Sequence, residues 1–259
     1  MSPDALAHEV ERLAREIYGQ ERPKVEGVLH VVSTVRPQAT AAPGPLHVIQ
    51  INEHAPKSSS DFFVLNFWRA HCDAILTTAQ VVRAEPRLSH ALQGPHAHGL
   101  AQYRRTVLGK PQLAWCAVLT RSGELPVEHR MFADPLDYVV LAPPERSQEL
   151  TARLGPKAEV IALQKLEVRS ALAFMQGRGA RTVLIEAGPS TAGRLYDEPA
   201  LVDHLMLSLC TGSVPAAAMG GALPPDERLF AHLTRRSDHA RVEESGVWHF
   251  QHFARTHSR

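Results

Sequence analysis

The sequence predicts an α/β fold: a single domain with a mostly parallel central sheet, flanked by helices and completed by an antiparallel edge near the C-terminus. Short apolar segments alternate with stretches of helical periodicity through most of the 259 residues, as in parallel sheets joined by crossover helices. Residues 241–253 instead form two apolar segments around Ser245 and Gly246, which is the pattern of a hairpin. No repeat or clear linker divides the chain, and this favours one domain.

The first 20 residues predict a helix appended to the main domain, which is expected to span residues 24–256. Residues 2–4 have the composition of a helix start, and apolar side chains then recur at helical spacing: Leu6, Val10, Leu13 and Ile17. The helix is expected to end near Gly19, before Pro23.

The remaining elements follow from the periodicities of strands and helices. Strands are expected at 27–32, 46–51, 73–77, 114–119, 138–142, 158–162, 182–185 and 203–209. Helices are expected at 61–71, around Gln148 and at 171–176, the last one ended by Gly177 and Gly179. Two long segments, 36–60 and 85–109, are rich in loop-forming residues and are predicted to be largely irregular.

The segment from Thr182 to Leu195 is the most informative for function. A buried strand runs into Glu186, a small residue and Gly188, and Pro189 then stands where a helix would begin. Such a turn directs backbone N–H groups and the positive end of a helix dipole at one spot, which suits an anion such as a phosphate. The simpler alternative is a plain strand–helix connection, in which Gly188 serves only the turn and Glu186 caps the helix.

Composition excludes several classes of function. The formal net charge is +1, and no block of like charges suggests nucleic-acid binding. No apolar segment has the length of a signal peptide or a membrane span, and the three cysteines are far apart, so a reducing, cytoplasmic location is expected. The 15 histidines include no HExxH motif or Cys/His cluster, and no metal site is expected.

Several segments, taken in order, resemble one family. They are residues 67–76 (FWRAHCDAIL), 82–88 (VRAEPRL), 119–126 (LTRSGELP), 186–189 (EAGP) and 201–205 (LVDHL). Together they are similar to the reductase domain of riboflavin biosynthesis, which occurs as the C-terminal half of bifunctional deaminase–reductases and as a stand-alone enzyme. The resemblance covers roughly residues 28–254 and implies a fold like that of dihydrofolate reductase.

The resemblance implies an NADPH-dependent reduction of 5-amino-6-(5-phosphoribosylamino)uracil, or of its 2,5-diamino analogue, to the ribitylamino product. Hydride would pass from the nicotinamide to C1 of the sugar. The implied cofactor contacts are Thr77, Thr78, Ala79, Thr120, Arg121, Ser122, Ala187, Gly188, Pro189 and Ser190. The implied substrate contacts are Ser33, Arg83 and Glu186, and Glu186 is also the candidate catalytic residue.

The family also implies a homodimer paired at the sheet edge. Residues 205–209 and the C-terminal hairpin are candidates for that contact, although both could equally pack within one subunit. The zinc-deaminase half of the bifunctional enzymes, with its His-x-Glu and Pro-Cys-x-x-Cys motifs, is absent from this sequence.

The sequence departs from the family pattern at four places. Residues 77–80 (TTAQ) lack the glycines of the usual turn, and residues 33–36 (STVR) lack the acid and the glycine of Ser-x-Asp-Gly. Glu85 and Pro86 stand for the usual Asp-Asn-Pro, and Ala91 replaces the arginine that holds the substrate phosphate, a role that Arg104 or Arg105 could take over. An alternative function is therefore a catalytically silent relative that binds a nucleotide or a protein.

Two other enzyme classes fit the sequence less well. Ser190 lies in a segment similar to a nucleophile elbow, but the second glycine comes one position too late for Gly-x-Ser-x-Gly. A dinucleotide fingerprint of the Rossmann type is missing, because Gly177 and Gly179 precede a strand instead of following one.

Overall fold

An eleven-stranded sheet organises the described residues, 3–19, 25–37, 44–110 and 112–256, of this computed structural model. The strands are β1 (Gly27–Val35), β2 (His47–Ile49), β3 (Ala74–Thr78), β4 (Trp115–Leu119), β5 (Tyr138–Ala142), β6 (Glu159–Ala162), β7 (Thr182–Glu186), β8 (His204–Cys210), β9 (Met219–Ala222), β10 (Leu233–Glu243) and β11 (Gly246–Arg255). Their order along the main path is β10-β11-β8-β1-β7-β3-β4-β5-β6.

The pairing confirms the predicted fold class. The strands from β8 to β6 along this path are parallel to one another. The hairpin of β10 and β11 adds an antiparallel edge to β8, as the pattern around Ser245 and Gly246 predicts. The short strands β2 and β9 pair with each other, and β2 is antiparallel to the end of β1.

Helices cover both faces of the sheet. They are α1 (Pro3–Tyr18), α2 (Ser59–His71), α3 (Ala79–Ala84), α4 (Ala97–Thr106), α5 (Pro144–Leu154), α6 (Val168–Gly177), α7 (Pro189–Ala192) and α8 (Asp226–Leu229). The first five helices contribute to one hydrophobic core, and α6, α7 and α8 contribute to a second core on the opposite face. No helix among the described residues is long and apolar enough to cross a membrane.

The prediction that residues 85–109 form a loop-rich segment holds for 85–96 and 107–109 but misses α4, which lies between them. Its apolar side chains are few, but Leu100 and Tyr103 are fully buried against the neighbouring helices. Gly99 lies so close to α1 that an added Cβ would come within 3.3 Å of a methyl group of Val10. Tertiary packing therefore forms a helix that local propensity does not indicate.

The predicted domain boundaries stay predictions, since residues 20–24 lie outside the described part of the chain. The helix α1 is confirmed, with Val10 and Ile17 buried as expected from their spacing. Residues 38–43 of the predicted loop at 36–60 also lie outside the described residues, and β2 corresponds to the short strand expected there. The three cysteines are buried and unpaired.

The connections leaving β3 and β7 define a crevice between these neighbouring strands. The chain leaves β3 into α3 on the first face of the sheet, but it leaves β7 into α7 on the second face. Adjacent parallel strands whose connections depart to opposite faces form a topological switch point, and ligands of open α/β sheets bind at such points, outside the carboxyl ends of the strands.

Candidate active site

Thr77 and Glu186 lie side by side at the carboxyl ends of β3 and β7. They are paired in the parallel register, and each lies two residues beyond a side chain, Ile75 or Leu184, that packs into the core of the first face. Because side chains alternate along a strand, Thr77 and Glu186 both point to that face. The crevice is therefore bounded by a hydroxyl from one strand and a carboxylate from the next.

Arg69, near the end of α2, forms a bidentate ion pair with Glu186. Its Nε lies 2.7 Å from Oε1 and its Nη2 lies 2.6 Å from Oε2, while the two side chains are only 4% and 11% exposed. Burial acts to raise the pKa of Glu186, but the charge and hydrogen bonds of Arg69 outweigh it and hold the pKa below its usual value. Glu186 is consequently an ionised carboxylate with a fixed orientation.

His90 is buried beside this pair with both ring nitrogens unpartnered among the described residues. Its Nε2 lies 3.9 Å from Oε2 of Glu186, beyond hydrogen-bond distance. Burial lowers the pKa of His90 to about 4, so the ring is neutral at pH 7. A cavity of about 10 Å³, just large enough for one water molecule, adjoins His90, Arg69 and Ala91.

Glu85 has a second, partly buried carboxyl group that is close enough to Glu186 for the two charges to interact. It follows α3, where its backbone N–H donates to Val81 and its carbonyl oxygen accepts from Nε2 of His129 at 3.0 Å. The carboxyl group itself has no hydrogen bond or ion pair within the described part of the chain. Burial and the charge of Glu186 raise the pKa of Glu85 to about 7. Sequence reasoning assigned no role to Glu85 or Arg69, and their only signal was a place within the family motifs.

The predicted cofactor residues at the end of β3 and the start of α3 are buried, and one of them has a structural role. Thr77 is fully buried, and its hydroxyl is another polar atom without a partner among the described residues. Thr78 caps α3, since its Oγ1 accepts a hydrogen bond from the N–H of Val81 at 3.3 Å. Ala79 begins that helix and is buried. Thr78 thus supplies a helix cap at the position where the family resemblance implies a glycine-rich turn.

Of the three predicted cofactor residues after β4, Thr120 stabilises a turn, whereas Arg121 and Ser122 are exposed. Oγ1 of Thr120 accepts from the N–H of Gly123 at 3.2 Å and closes the turn. Ser122 is exposed, and its hydroxyl accepts from the N–H of Glu124. Arg121 is exposed and makes no hydrogen bond or ion pair with any described residue. A cationic side chain at the carboxyl edge of the sheet is therefore available to a ligand.

The turn after β7 follows the predicted course, with Gly188 at the N-cap of α7 and Pro189 at its first position. The helix has only four residues, so its dipole is small, and the N–H groups of Thr191 and Ala192 already donate to the carbonyl of Gly188. An anion at this turn would gain less from the helix than the sequence predicts. Ala187 and Ser190 complete this turn, beside an open groove.

The groove has a volume of about 420 Å³ and extends from this turn to the segment after β9. Its polar lining comes from Ser190, Arg194 and Arg228, and its apolar lining includes Pro189, Leu223 and Pro224. Both arginines also pair with Asp197. A volume of this size can hold part of a dinucleotide.

The other predicted substrate residues, Ser33 and Arg83, form hydrogen bonds with groups other than Glu186, and their roles stay predictions. Ser33 donates to Asp61, with its Oγ 2.8 and 2.7 Å from the two carboxylate oxygens. Arg83 is exposed and donates to the carbonyl oxygen of Glu124. Asp61, in the first turn of α2, thus supplies an acid beside Ser33 from another part of the chain, which no sequence pattern indicated.

Arg104 and Arg105, the candidates for the missing phosphate contact, both have hydrogen-bond partners within the protein, and their role toward a phosphate stays a prediction. The guanidinium of Arg104 donates to the carbonyl oxygens of Ala70, Cys72 and Gln112 at 2.6–2.7 Å. Arg105, at the end of α4, donates to Gln102. Arg104 also lines the small cavity beside Arg69 and His90, so its guanidinium lies next to the candidate site.

Comparison with known proteins places these features in a family context. The family model described as the RibD C-terminal domain matches residues 44–213, which is more than half of the chain. The sequence matches none of the curated proteins.

Solved structures share the fold at low sequence identity. Two forms of Acinetobacter baumannii RibD align over 89% of this chain with 16% identity and TM-scores of 0.60 and 0.62, and the chain spans only 58% of their length. A pyrimidine reductase-like protein from Corynebacterium diphtheriae aligns over 95% of this chain and 99% of its own, with 17% identity and a TM-score of 0.59. The riboflavin biosynthesis reductase of Saccharomyces cerevisiae aligns over 94% of this chain and 98% of its own, with 12% identity and a TM-score of 0.55.

Proposed function

The chain belongs to the RibD C-terminal domain family, and from that premise we propose that it is an NADPH-dependent reductase of a ribosylaminopyrimidine. The first substrate to test is 5-amino-6-(5-phosphoribosylamino)uracil, together with its 2,5-diamino analogue, and the product would carry a ribityl chain. The solved Corynebacterium and Saccharomyces proteins, described as a pyrimidine reductase-like protein and a riboflavin biosynthesis reductase, support the same class of reaction.

The observation that carries this proposal is the crevice between β3 and β7. The crevice lies at a topological switch point and contains the oriented carboxylate of Glu186. Beside that carboxylate are buried polar atoms of Thr77 and His90 that have no hydrogen-bond partner among the described residues. Unsatisfied polar atoms beside a fixed charge at such a point are typical of a site that a ligand completes.

The residues around the crevice fit a dinucleotide. The groove beside Ser190 has room for the phosphate-bearing part, and the exposed, unpaired Arg121 suits a 2′-phosphate, which is the group that distinguishes NADPH from NADH. Thr77, Thr78 and Ala79 would border the cofactor at the end of β3, with Ala187, Gly188 and Pro189 at the end of β7. Bound NADPH would supply the hydride for the reduction.

The protein's own groups would orient the substrate and deliver a proton. Arg69 fixes the carboxylate of Glu186, which can then accept hydrogen bonds from sugar hydroxyls in one orientation. Addition of a hydride to a carbon–nitrogen or carbon–oxygen double bond requires a proton at the heteroatom. Glu85 can hold that proton, because a carboxyl group with a pKa of about 7 is half protonated at neutral pH.

The alternative function, a catalytically silent relative, is supported by the helix cap at Thr78, which stands where the family has a glycine-rich turn. The two functions differ in one measurable property. A reductase must bind the reduced cofactor productively, whereas a silent protein-binding relative need not.

The deciding experiment is a calorimetric titration of the purified protein with NADPH and with NADH, followed by a rapid-mixing assay of NADPH oxidation with the candidate substrates. We expect saturable binding that favours NADPH and substrate-dependent loss of absorbance at the nicotinamide band. Binding without turnover of either substrate would support a nucleotide-binding but silent relative. No binding of either nucleotide at millimolar concentration would exclude the reductase.

A further inference from the structure

The helix α2 carries a second functional group besides Arg69 on the face that it turns to the sheet. Asp61 and Arg69 are about two turns apart on one face of this helix, or roughly 12 Å along its axis. Arg69 binds Glu186 at the end of β7, whereas Asp61 binds Ser33 on the neighbouring strand β1. The helix thus connects the ends of two adjacent strands through two polar contacts.

At the carboxyl edge of the sheet, β1 extends further than its neighbour β7. The two strands pair only as far as His30, and β1 continues beyond it, so Ser33 stands past the end of β7. Ser33 is on the same face of β1 as Leu29, which packs in the core of the first face, the face to which Glu186 points. Ser33 and Asp61 are both only partly buried. A ligand lying across the end of β7 can therefore contact Glu186 at one end and Asp61 at the other.

Asp61 differs from Glu186 in having no cationic partner among the described residues. Oγ of Ser33 lies 2.8 and 2.7 Å from its two carboxylate oxygens. Burial raises the pKa of Asp61 above its usual value, and hydrogen bonds from the hydroxyls of Ser208 and Ser33 reduce that shift. The negative charge of Glu243 adds to it. A carboxylate in such surroundings is stabilised by N–H donors and destabilised by further acceptor oxygens.

The two candidate substrates differ at the edge of the pyrimidine that lies opposite the sugar. In the 2,5-diamino compound this edge carries the N3–H and the 2-amino group, two adjacent donors that match the two oxygens of a carboxylate. In the uracil compound the N3–H is flanked by two carbonyl oxygens, and one of them would face an oxygen of the carboxylate. The sugar and its phosphate are the same in both, so this edge alone can distinguish them.

We propose that Asp61, oriented by Ser33, is a specificity-determining residue that selects the 2-amino-4-oxopyrimidine substrate over the uracil. This inference rests on the proposed reductase function and specifies the base of its substrate. The sugar would lie beside Glu186, where the unpartnered buried atoms of Thr77 and His90 indicate a ligand. The amino edge of the base would then lie against Asp61, further along the same helix.

The test compares two ligands that differ only in the base. They are 5-amino-6-ribitylaminouracil 5′-phosphate and its 2,5-diamino counterpart, and each is titrated calorimetrically into the full chain in the presence of NADP⁺. We expect the diamino compound to bind at least about tenfold more tightly. Equal affinity, preference for the uracil, or binding of neither compound would overturn the inference. NADPH binding and turnover of the uracil substrate are measured separately, so a failure of the reductase proposal is recognised independently.

Asp61→Asn tests the assignment to this side chain. The amide has nearly the same shape but replaces one acceptor oxygen by a donor, which can bind a carbonyl oxygen of the uracil. We expect the preference for the diamino ligand to fall by about tenfold or more. Asp4→Asn is the matched control, because Asp4 is an exposed acid in the first turn of α1, and it should leave the preference unchanged.

The ratio of the two affinities separates recognition of the base from a structural role at the start of α2. Loss of helix stability alone would weaken both ligands equally, and a preference that survives Asp61→Asn would overturn the assignment. Should this variant fail to fold, Ser33→Ala gives the second test, since it leaves the carboxylate in place without its hydroxyl partner. We expect it to reduce the preference several-fold, and an unchanged preference would again contradict the proposal.

Discussion

Arg69 and Glu186 join two distant segments of the chain through a buried, two-pronged ion pair. The residues are 117 positions apart, one on α2 and the other at the end of β7, and both hydrogen bonds are 2.7 Å or shorter. The helix that covers the first face of the sheet is thereby tied to the carboxyl edge where the candidate site lies. The same pair serves the stability of the fold and the orientation of the site.

Removal of one partner should destabilise the protein strongly. In Arg69→Met the carboxylate of Glu186 stays buried without a counter-ion, and we expect the free energy of unfolding to fall by about 3–5 kcal/mol. Chemical denaturation followed by tryptophan fluorescence measures this value. Arg12→Ala, which removes an exposed pair with Glu16, is the control and should cost less than about 1 kcal/mol. A loss at Arg69 no larger than that at Arg12 would contradict the assigned burial of the pair.

Stability should decline as the pH falls from about 6.5 to about 4. Burial lowers the pKa of His30 and of His90 to about 4, so in this range the unfolded chain binds protons that the folded protein does not. Above pH 6.5 both histidines are neutral in the folded and the unfolded protein, and the free energy of unfolding has its full value. Protonation of the unfolded chain at lower pH reduces that free energy by about 3 kcal/mol at most for each histidine. Denaturation curves across this range should show a smaller pH slope in His30→Gln. The same substitution at the exposed His98 controls for residue type, and an unaltered slope at His30 would refute the prediction.

Activity should decrease as the pH rises through about 7 if Glu85 donates the proton. The donor must be protonated, and burial together with the charge of Glu186 places its pKa near that value. Glu85→Gln should lower kcat by roughly 10²–10⁴-fold and abolish the decrease, while the Kd for NADPH stays unchanged. Steady-state pH profiles of kcat for both proteins provide the measurement. Persistence of the same decrease in the variant would assign the proton to another group.

Arg121 should discriminate between the two nicotinamide cofactors. It is an exposed, unpaired cation after β4, and charge-assisted contacts with a 2′-phosphate would be lost in Arg121→Ala. We expect the Kd for NADPH to rise roughly tenfold, with little change for NADH. Arg105→Ala, at the end of α4 that precedes β4, is the control at the opposite edge of the sheet. Equal weakening of both cofactors would indicate a structural effect.

The sequence predicts the sheet well because its strands are short, strongly apolar and bounded by turn residues. The strand–turn–helix at residues 182–192 and the C-terminal hairpin are both confirmed. The helix α4 escapes prediction because its stability comes from packing against α1, as the close approach at Gly99 shows. Such tertiary contacts have no periodic signature.

Prediction of the candidate site is less complete, for a physical reason. Glu186 is found from the chain alone because it ends a buried strand, but its partner Arg69 lies on a helix far away in sequence. The environment of Glu85 depends on burial and on the charge of Glu186, and neither is visible in a local motif. The predicted roles of Ser33 and Arg83 stay predictions, although their side chains contact Asp61 and the carbonyl of Glu124 in this structure.

The position of β7 has a consequence for how the chain folds during synthesis. Residues 182–186 form the central strand between β1 and β3, so those two strands cannot join until most of the protein has been made. Before that point β1 lacks both of its parallel neighbours, β7 and β8, and β3 lacks β7, so strand edges are unpaired on both sides of β1 and on one side of β3. The long sequence separation between these partners delays closure of the sheet. A truncation that ends before Thr182 should therefore aggregate instead of yielding a smaller folded unit.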